Sequence, residues 1–243
     1  MQRARRPEDK EGRRRVILEA AGTLWARSTF DTLTMSGVAS QAGLAKGTLY
    51  LYFPTKEALL LALLEARLEA WLDELERRFS AQPSPLGSAA AADILCETIV
   101  ADEAAVGLLV ILGTILEHNL PGGRIREFKL WLLGRLERAG AALERKLPFL
   151  GPGGGMLLLV RLHALIAGLG QIARPASAVA AVLASPELAA FRLDFDTELR
   201  ALLRALLRGI EAPAPEPLEA DHDRDRSAPR RRPHHRSVQR NRR

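Results

Sequence analysis

Residues 34–60 read TMSGVASQAGLAKGTLYLYFPTKEALL, from Thr34 to Leu60. Thr34 is a good N-cap for a short helix that turns Val38, Ala39 and Ala42 inward. Gly43 breaks that helix and Leu44 plugs the corner. A second short helix runs from about Lys46 to Phe53. Pro54-Thr55-Lys56-Glu57 stops it and starts another, with Thr55 as N-cap and Glu57 placed to suit the macrodipole. Two short helices across a tight glycine turn form a helix-turn-helix, whose second helix enters a major groove. Leu49 and Phe53, four apart, face the core. Lys46, Gly47, Thr48, Tyr50, Leu51 and Tyr52 are left outside. The chain has two tyrosines, and both are in this stretch. A phenol hydroxyl donates to a phosphate oxygen, Lys46 supplies a cation, and Gly47 lets another backbone approach closely. A helical hairpin with two surface aromatics fits the pattern alone as well.

Outward from this stretch the pattern stays helical. Upstream, Ile17, Ala20, Ala21, Leu24 and Trp25 form one buried stripe of a helix starting at Arg13. Residues 1–12 read as a mobile basic arm. Downstream, a fourth helix reaches about Ser80 and Pro83-Ser84-Pro85 closes it. Further helices fit 87–101, 104–118, 123–147, 153–173 and 194–210, with a shorter piece in 177–190. No run alternates as a strand does, and Leu, Ala, Arg and Glu dominate. The expected class is all-α.

Of 243 residues, 47% are hydrophobic, which favours a packed globule over wholesale disorder. The net charge of +6 is uneven: +4 in residues 1–57, −1 in 58–210 and +3 in 211–243. Basic ends on a neutral middle point to an acidic polymer, nucleic acid ahead of membrane, although an ordinary basic protein also fits. Residues 211–243 are rich in Pro, Arg, Asp and His and are expected to be a disordered tail. The single cysteine, Cys96, excludes a disulfide framework and a multi-cysteine zinc site. The longest clean apolar run, Ala104 to Leu116, is short of the roughly 20 residues of a bilayer span. The first residues are charged and resemble no secretory signal. No membrane partner is expected, and the expected compartment is the cytoplasm.

The quoted stretch resembles the DNA-binding domain of the TetR family of transcriptional regulators, and the preceding RRVILEAAGTLWARSTFDTLT fits the same family. The likeness runs over about residues 12–62, with KGTLYxYFxxKExL its most specific part. It implies a three-helix DNA-binding domain over 13–57 and a larger helical regulatory and dimerisation domain over 58–210. By the resemblance, Thr34 and Ser36 meet the backbone of double-stranded DNA. Lys46, Gly47 and Thr48 open the recognition helix, with Thr48 reading a base edge. Tyr50 and Tyr52 clamp phosphates, and Lys56 adds a phosphate contact with the helix N-terminus. The chain departs from the family at Thr29, where Gly is common, at Ala45, where Ser or Thr is common, and at Leu51 and Tyr52. Loss of the Ala45 cap is worth roughly 0.5–2 kcal/mol. Leu51 is placed to touch a thymine methyl.

Residues 58–210 carry no catalytic signature, so no catalytic residue, cofactor or metal site is assigned. Glu117-His118 and His163 either meet in a pocket or serve as ordinary core residues, and Cys96 reads as a small buried apolar residue. The 153–173 helix is apolar nearly all round, and the last helix has a clean stripe. The resemblance implies that these two helices form a four-helix homodimer bundle through Leu158, Leu162, Leu165, Leu169, Phe195, Leu199, Leu202, Leu203 and Leu206. It also implies a small-molecule effector pocket between the fourth and eighth helices. Trp71, Leu75, Ile94, Leu95, Val110, Thr114, His118, Trp131 and His163 are its expected lining, suited to an apolar or aromatic molecule.

The resemblance thus implies a homodimeric regulator, a repressor released from a palindromic operator by its effector. The alternatives are a constitutive or global DNA binder, or an activator, of the same fold, and an enzyme or ligand carrier with a vestigial helix-turn-helix.

Overall fold

The computed structural model describes residues 7–212. Residues 213–243 of the expected tail and the first six residues of the expected arm lie outside the described residues; Glu211 ends the last helix rather than opening a tail. Every regular element described is helical: α1 (Pro7–Trp25), α2 (Met35–Gln41), α3 (Lys46–Tyr50), α4 (Lys56–Ser80), α5 (Ser88–Val100), α6 (Glu103–Ile111), α7 (Gly122–Lys146), α8 (Gly154–Ala173), α9 (Ser177–Leu183) and α10 (Phe195–Glu211).

The N-terminal unit is built as its apolar spacing dictates. Ile17, Ala20, Ala21 and Trp25 of α1 are buried against Val38 and Ala39 of α2, Leu49 of α3, and Phe53. The Thr34 hydroxyl caps α2 by accepting from Gly37 N at 3.1 Å, and Thr55 caps α4 by accepting from Ala58 N at 3.1 Å. Gly43 takes φ +66°, the left-handed conformation that lets the chain turn from α2 into α3. One expectation needs correction. Residues 7–12 do not belong to an arm, because α1 begins at Pro7. Proline's preset φ suits a first helical position.

Helix α4 runs from this unit into the larger body, burying Leu59 to Leu64, Leu68, Trp71, Leu72, Leu75 and Phe79. Along its polar side α7 is fastened by ion pairs: Arg124 to Glu65 at 2.5 Å, Arg135 to Asp73 at 2.6 Å and Arg138 to Glu76 at 3.0 Å. Helices α7 and α8 touch backbone to backbone, since a Cβ on Gly155 would run into the Gly140 carbonyl. Helix α10 packs on α5, where Asp93 accepts from both Arg200 (2.8 Å) and Arg204 (2.9 Å).

The expected 104–118 helix is not uniform. It runs as α6 to Ile111, widens into a π turn over Leu112–Leu116 and ends in a 3-10 turn over Glu117–Asn119. Gly113, a poor helix former, lies inside the widened turn. The expected 177–190 piece is split at Pro186 into α9 and a 3-10 turn, because proline cannot continue a helix. Helix α8, despite the reading of the sequence, is long and apolar enough to cross a membrane. Here it is packed among α6, α7 and α10.

Candidate nucleic-acid interface and ligand cavity

Helix α3 presents the face that the sequence leaves outside. Leu49 and Phe53 anchor it, while Lys46, Gly47, Tyr50 and Leu51 stand in solvent, Leu51 at 77% exposure. No atom lies within 4 Å of a Cβ position on Gly47, so that surface is open. The Lys46 ammonium sits 6.0 Å from the centre of the Tyr50 ring. Ser36 is exposed, and Thr48 and Tyr52 are half-buried. Ala45 is the N-cap of α3 and supplies no side-chain bond, so this short helix is held by Leu49 and Phe53 rather than by capping. At Thr29 no left-handed backbone is needed. Its N–H donates to the Thr32 hydroxyl at 2.9 Å, closing the turn after α1.

Two assignments change. The Lys56 ammonium faces inward, donating to the carbonyls of Phe30 (2.6 Å) and Leu33 (3.3 Å), 3.9 Å from the Phe30 ring centre. It holds the α1–α2 turn to the start of α4 and is not free to take a phosphate. Conversely, Lys10, Glu11 and Arg14 of α1 line a cleft with Leu51 and Tyr52; Arg14 lies 3.9 Å from Glu11 and 5.6 Å from the Phe53 ring centre. Sequence reading passed over these two cations. Their i, i+4 spacing was visible, but their adjacency to α3 is tertiary.

In the larger body, a cavity of about 300 Å³ lies between α4, α6, α7 and α8. Its walls are Leu68, Trp71, Leu109, Leu112, Lys129, Leu132, Leu133, Leu136, Met156, Leu159, Val160, Leu162, His163 and Ile166. Of the residues expected there, Trp71 and His163 are in the wall. Leu75, Ile94 and Leu95 are buried core instead. Val110 packs against Gly170, Trp131 stacks with Phe128 at 6.0 Å, and Thr114 and His118 face solvent.

The cavity has few polar groups. The Trp71 indole is satisfied by the Thr98 hydroxyl at 3.2 Å. His163 Nε2 lies 3.3 Å from the Leu109 carbonyl, and burial pushes its pKa down, favouring the neutral ring. The fields of Lys129 and Glu117 both reach His163, and these two are paired at 2.5 Å. Glu117 reaches the cavity only through its pair with Lys129, and His118 faces solvent. Cys96 is fully buried in α5, and burial pushes its thiol pKa up. Among the described residues no three His, Cys, Asp or Glu side chains are grouped to hold a metal.

The residues expected to meet a partner copy also lie elsewhere. Leu158, Leu162, Leu169, Phe195, Leu199 and Leu203 are buried within the chain itself, against neighbouring helices. Leu165 and Leu206 are half-buried and Leu202 is exposed. The outward faces of α8 and α10 carry Leu157, Ala164, Gly168 and Ile172, and Ala201, Leu202, Ala205 and Gly209. The stripe read from periodicity was the core side of each helix, because a helix binding a partner must first bury one face in its own domain.

A capped helix-turn-helix with an exposed second helix, joined through α4 to a larger helical body, defines a DNA-binding transcriptional regulator. The chain belongs to the TetR family. Residues 17–63 match the family described as "Bacterial regulatory proteins, tetR family". Residues 65–214, more than half of the chain, match "Tetracyclin repressor-like, C-terminal domain". The Bacillus subtilis (strain 168) protein "Uncharacterized HTH-type transcriptional regulator YfiR" is 36% identical over 70 residues, 29% of this chain and 34% of that protein. The "Fatty acid metabolism regulator protein" of the same organism is 35% identical over 60 residues, 25% of this chain and 31% of that protein. The chain therefore spans about a third of the length of these curated relatives. The crystal structure of a TetR-family transcriptional regulator from Streptomyces coelicolor is similar in fold. Its TM-score is 0.50 at 21% identity, covering 82% of this chain and 99% of that one. The fatty acid degradation regulator FadR from Bacillus halodurans has a TM-score of 0.51 at 18% identity, covering 85% and 97%.

Proposed function

We propose that the protein is a homodimeric repressor that binds a palindromic operator in the cytoplasm and releases it when a small apolar molecule fills the cavity. The observation that carries this reading is the pairing of an open α3 face with an apolar cavity in one chain, joined by α4 and α6. Lys46 and Tyr50 supply phosphate contacts, and Gly47 admits the DNA backbone. Thr48 and Leu51 read base edges, and Ser36 and Tyr52 flank them. Thr34 works through its cap on α2. The first turn of α4 meets phosphate through its backbone, since the Lys56 side chain is engaged inside.

Dimerisation supports the operator symmetry. The outward faces of α8 and α10, with small residues at Ala164, Gly168, Ala201, Ala205 and Gly209, allow close approach of a second copy. Release follows if the filled cavity favours a dimer geometry in which the two α3 helices no longer match the groove spacing. Two links carry the shift. Helix α4 supplies Leu68 and Trp71 to the cavity wall and starts beside the helix-turn-helix. Helix α6 supplies Leu109, and Leu112 follows it.

The test is selection of binding sites from random duplexes with the full chain, followed by footprinting. Inverted half-sites centred about one helical turn apart, roughly 34–36 Å or a multiple, are expected. Protection without sequence preference would instead identify a global DNA binder. Transcription from a promoter overlapping the selected site should fall with protein and recover with effector.

A further inference from the structure

We infer that the cavity takes an amphipathic monoanion: a single apolar chain in the closed end, with its carboxylate at the mouth on Lys129, in the place Glu117 now holds. This inference rests on reading the cavity as the effector site and adds the chemical class of the effector.

The cavity is polarised along its length. Its inner end is formed by Leu68, Trp71, Leu112, Leu162 and Ile166, all buried. Trp71 offers nothing polar there, because its indole N–H already donates to Thr98. The outer end lies where Leu133 and Val160 are 43% and 47% exposed, and where the Lys129 side chain is half exposed. Lys129 is the one charged residue in the wall. An apolar pocket closed at one end and cationic at the other fits a molecule with the same asymmetry. At about 300 Å³ it is at the small end of ligand pockets, which suits one short chain rather than a fused-ring skeleton.

The protein already places a carboxylate on that cation. Glu117 Oε1 lies 2.5 Å from Lys129 Nζ, and Glu117 follows directly on the π turn that Leu112 opens. A carboxylate from solution exchanges like for like, so Lys129 keeps an anionic partner throughout. A cationic head group would face Lys129 at the mouth. A neutral one would gain nothing from Lys129, which keeps Glu117 as its partner. Displaced Glu117 frees the turn that continues α6, so the same exchange that admits the ligand loosens the wall beside it.

Isothermal titration of the full chain with sodium octanoate and with octan-1-ol tests this, in the wild type, Lys129→Met and Glu117→Gln. Octanoate should bind more tightly than octanol in the wild type by about tenfold at most, because the charge-assisted bond it makes to Lys129 replaces the one Glu117 gives up. Lys129→Met should erase that preference while leaving octanol affinity unchanged. Glu117→Gln should tighten octanoate and not octanol, because the internal competitor is gone. A merely structural ion pair would shift both ligands alike. Equal binding of the two in the wild type, which requires no variant to fold, overturns the head-group assignment and leaves the cavity as an effector site for neutral molecules. Preference retained in Lys129→Met overturns it also. Binding of neither removes the inference, and the effector reading then stands or falls on operator release by uncharged compounds.

Discussion

The Trp25 indole Nε1 donates to the Ala104 carbonyl at 3.1 Å, joining the last turn of α1 to the first turn of α6. Beside it, Gly107 leaves room for the indole, and Arg67 of α4 donates to Asp102, the α6 N-cap, at 3.2 Å. The DNA-binding unit is therefore bonded to one end of α6, while the other end walls the cavity. Trp25→Phe loses the hydrogen bond and the part of the indole that lies against Gly107. It should leave operator affinity without ligand unchanged and reduce the ligand's effect on that affinity by up to about tenfold, since such a bond is worth about 0.5–1.5 kcal/mol. Operator binding measured with and without a cavity ligand decides it. An unchanged ratio would place the coupling in α4 alone.

On the DNA face, Lys46→Ala should weaken binding to every sequence and flatten the salt dependence by about one unit of slope. Thr48 substitutions should shift base preference instead. Lys56→Met should behave differently from Lys46→Ala. It should lower the melting temperature, because the Phe30 and Leu33 carbonyls lose their donor, at a cost of about 1–3 kcal/mol. Were Lys56→Met to leave stability intact while reducing the salt slope, the ammonium would have to be reassigned to phosphate.

The two sides of α10 should separate assembly from folding. Sedimentation of the wild type should report twice 26.6 kDa. Leu202→Glu, on the outward face, should give a folded monomer with weakened operator binding. Leu203→Glu, one residue on but fully buried, should unfold the body instead. A folded monomer from Leu203→Glu would show that the interface had been drawn on the wrong side of the helix.

Asp93 joins α5 to α10, and its hydrogen bond from Arg204, with a second from Arg200, holds its carboxyl below the usual carboxylate range. A folded pKa below the unfolded value, near 3.9, makes the contribution complete above that unfolded value. It is lost as pH falls through the folded one. Asp93→Asn should therefore lower the melting temperature by a constant amount from pH 5 to 8. The gap to wild type should close below about pH 4. A gap that persisted at pH 2 would mean that shape, rather than charge, holds this contact.

The sequence by itself determined the elements and the DNA-binding unit. Capping at Thr34 and Thr55, the Gly43 turn and the inward Leu49–Phe53 pair are local, and neighbouring residues suffice to specify them. The exposed set on α3 followed from the same periodicity. The start of α1 was missed, and so was the widening after α6, because neither leaves a strong local mark. Only the tertiary structure decided which helix faces meet. A stripe such as Phe195-Leu199-Leu203 says that a face is buried, not whether its own chain or a second copy buries it. Helix α8, apolar almost all round, gave no phase at all. The cavity draws its walls from four helices, so its lining depends on crossing positions that no single helix encodes. Lys56 shows the same limit for charge: its cation was legible, but a carbonyl 26 residues back in the chain decided where it points.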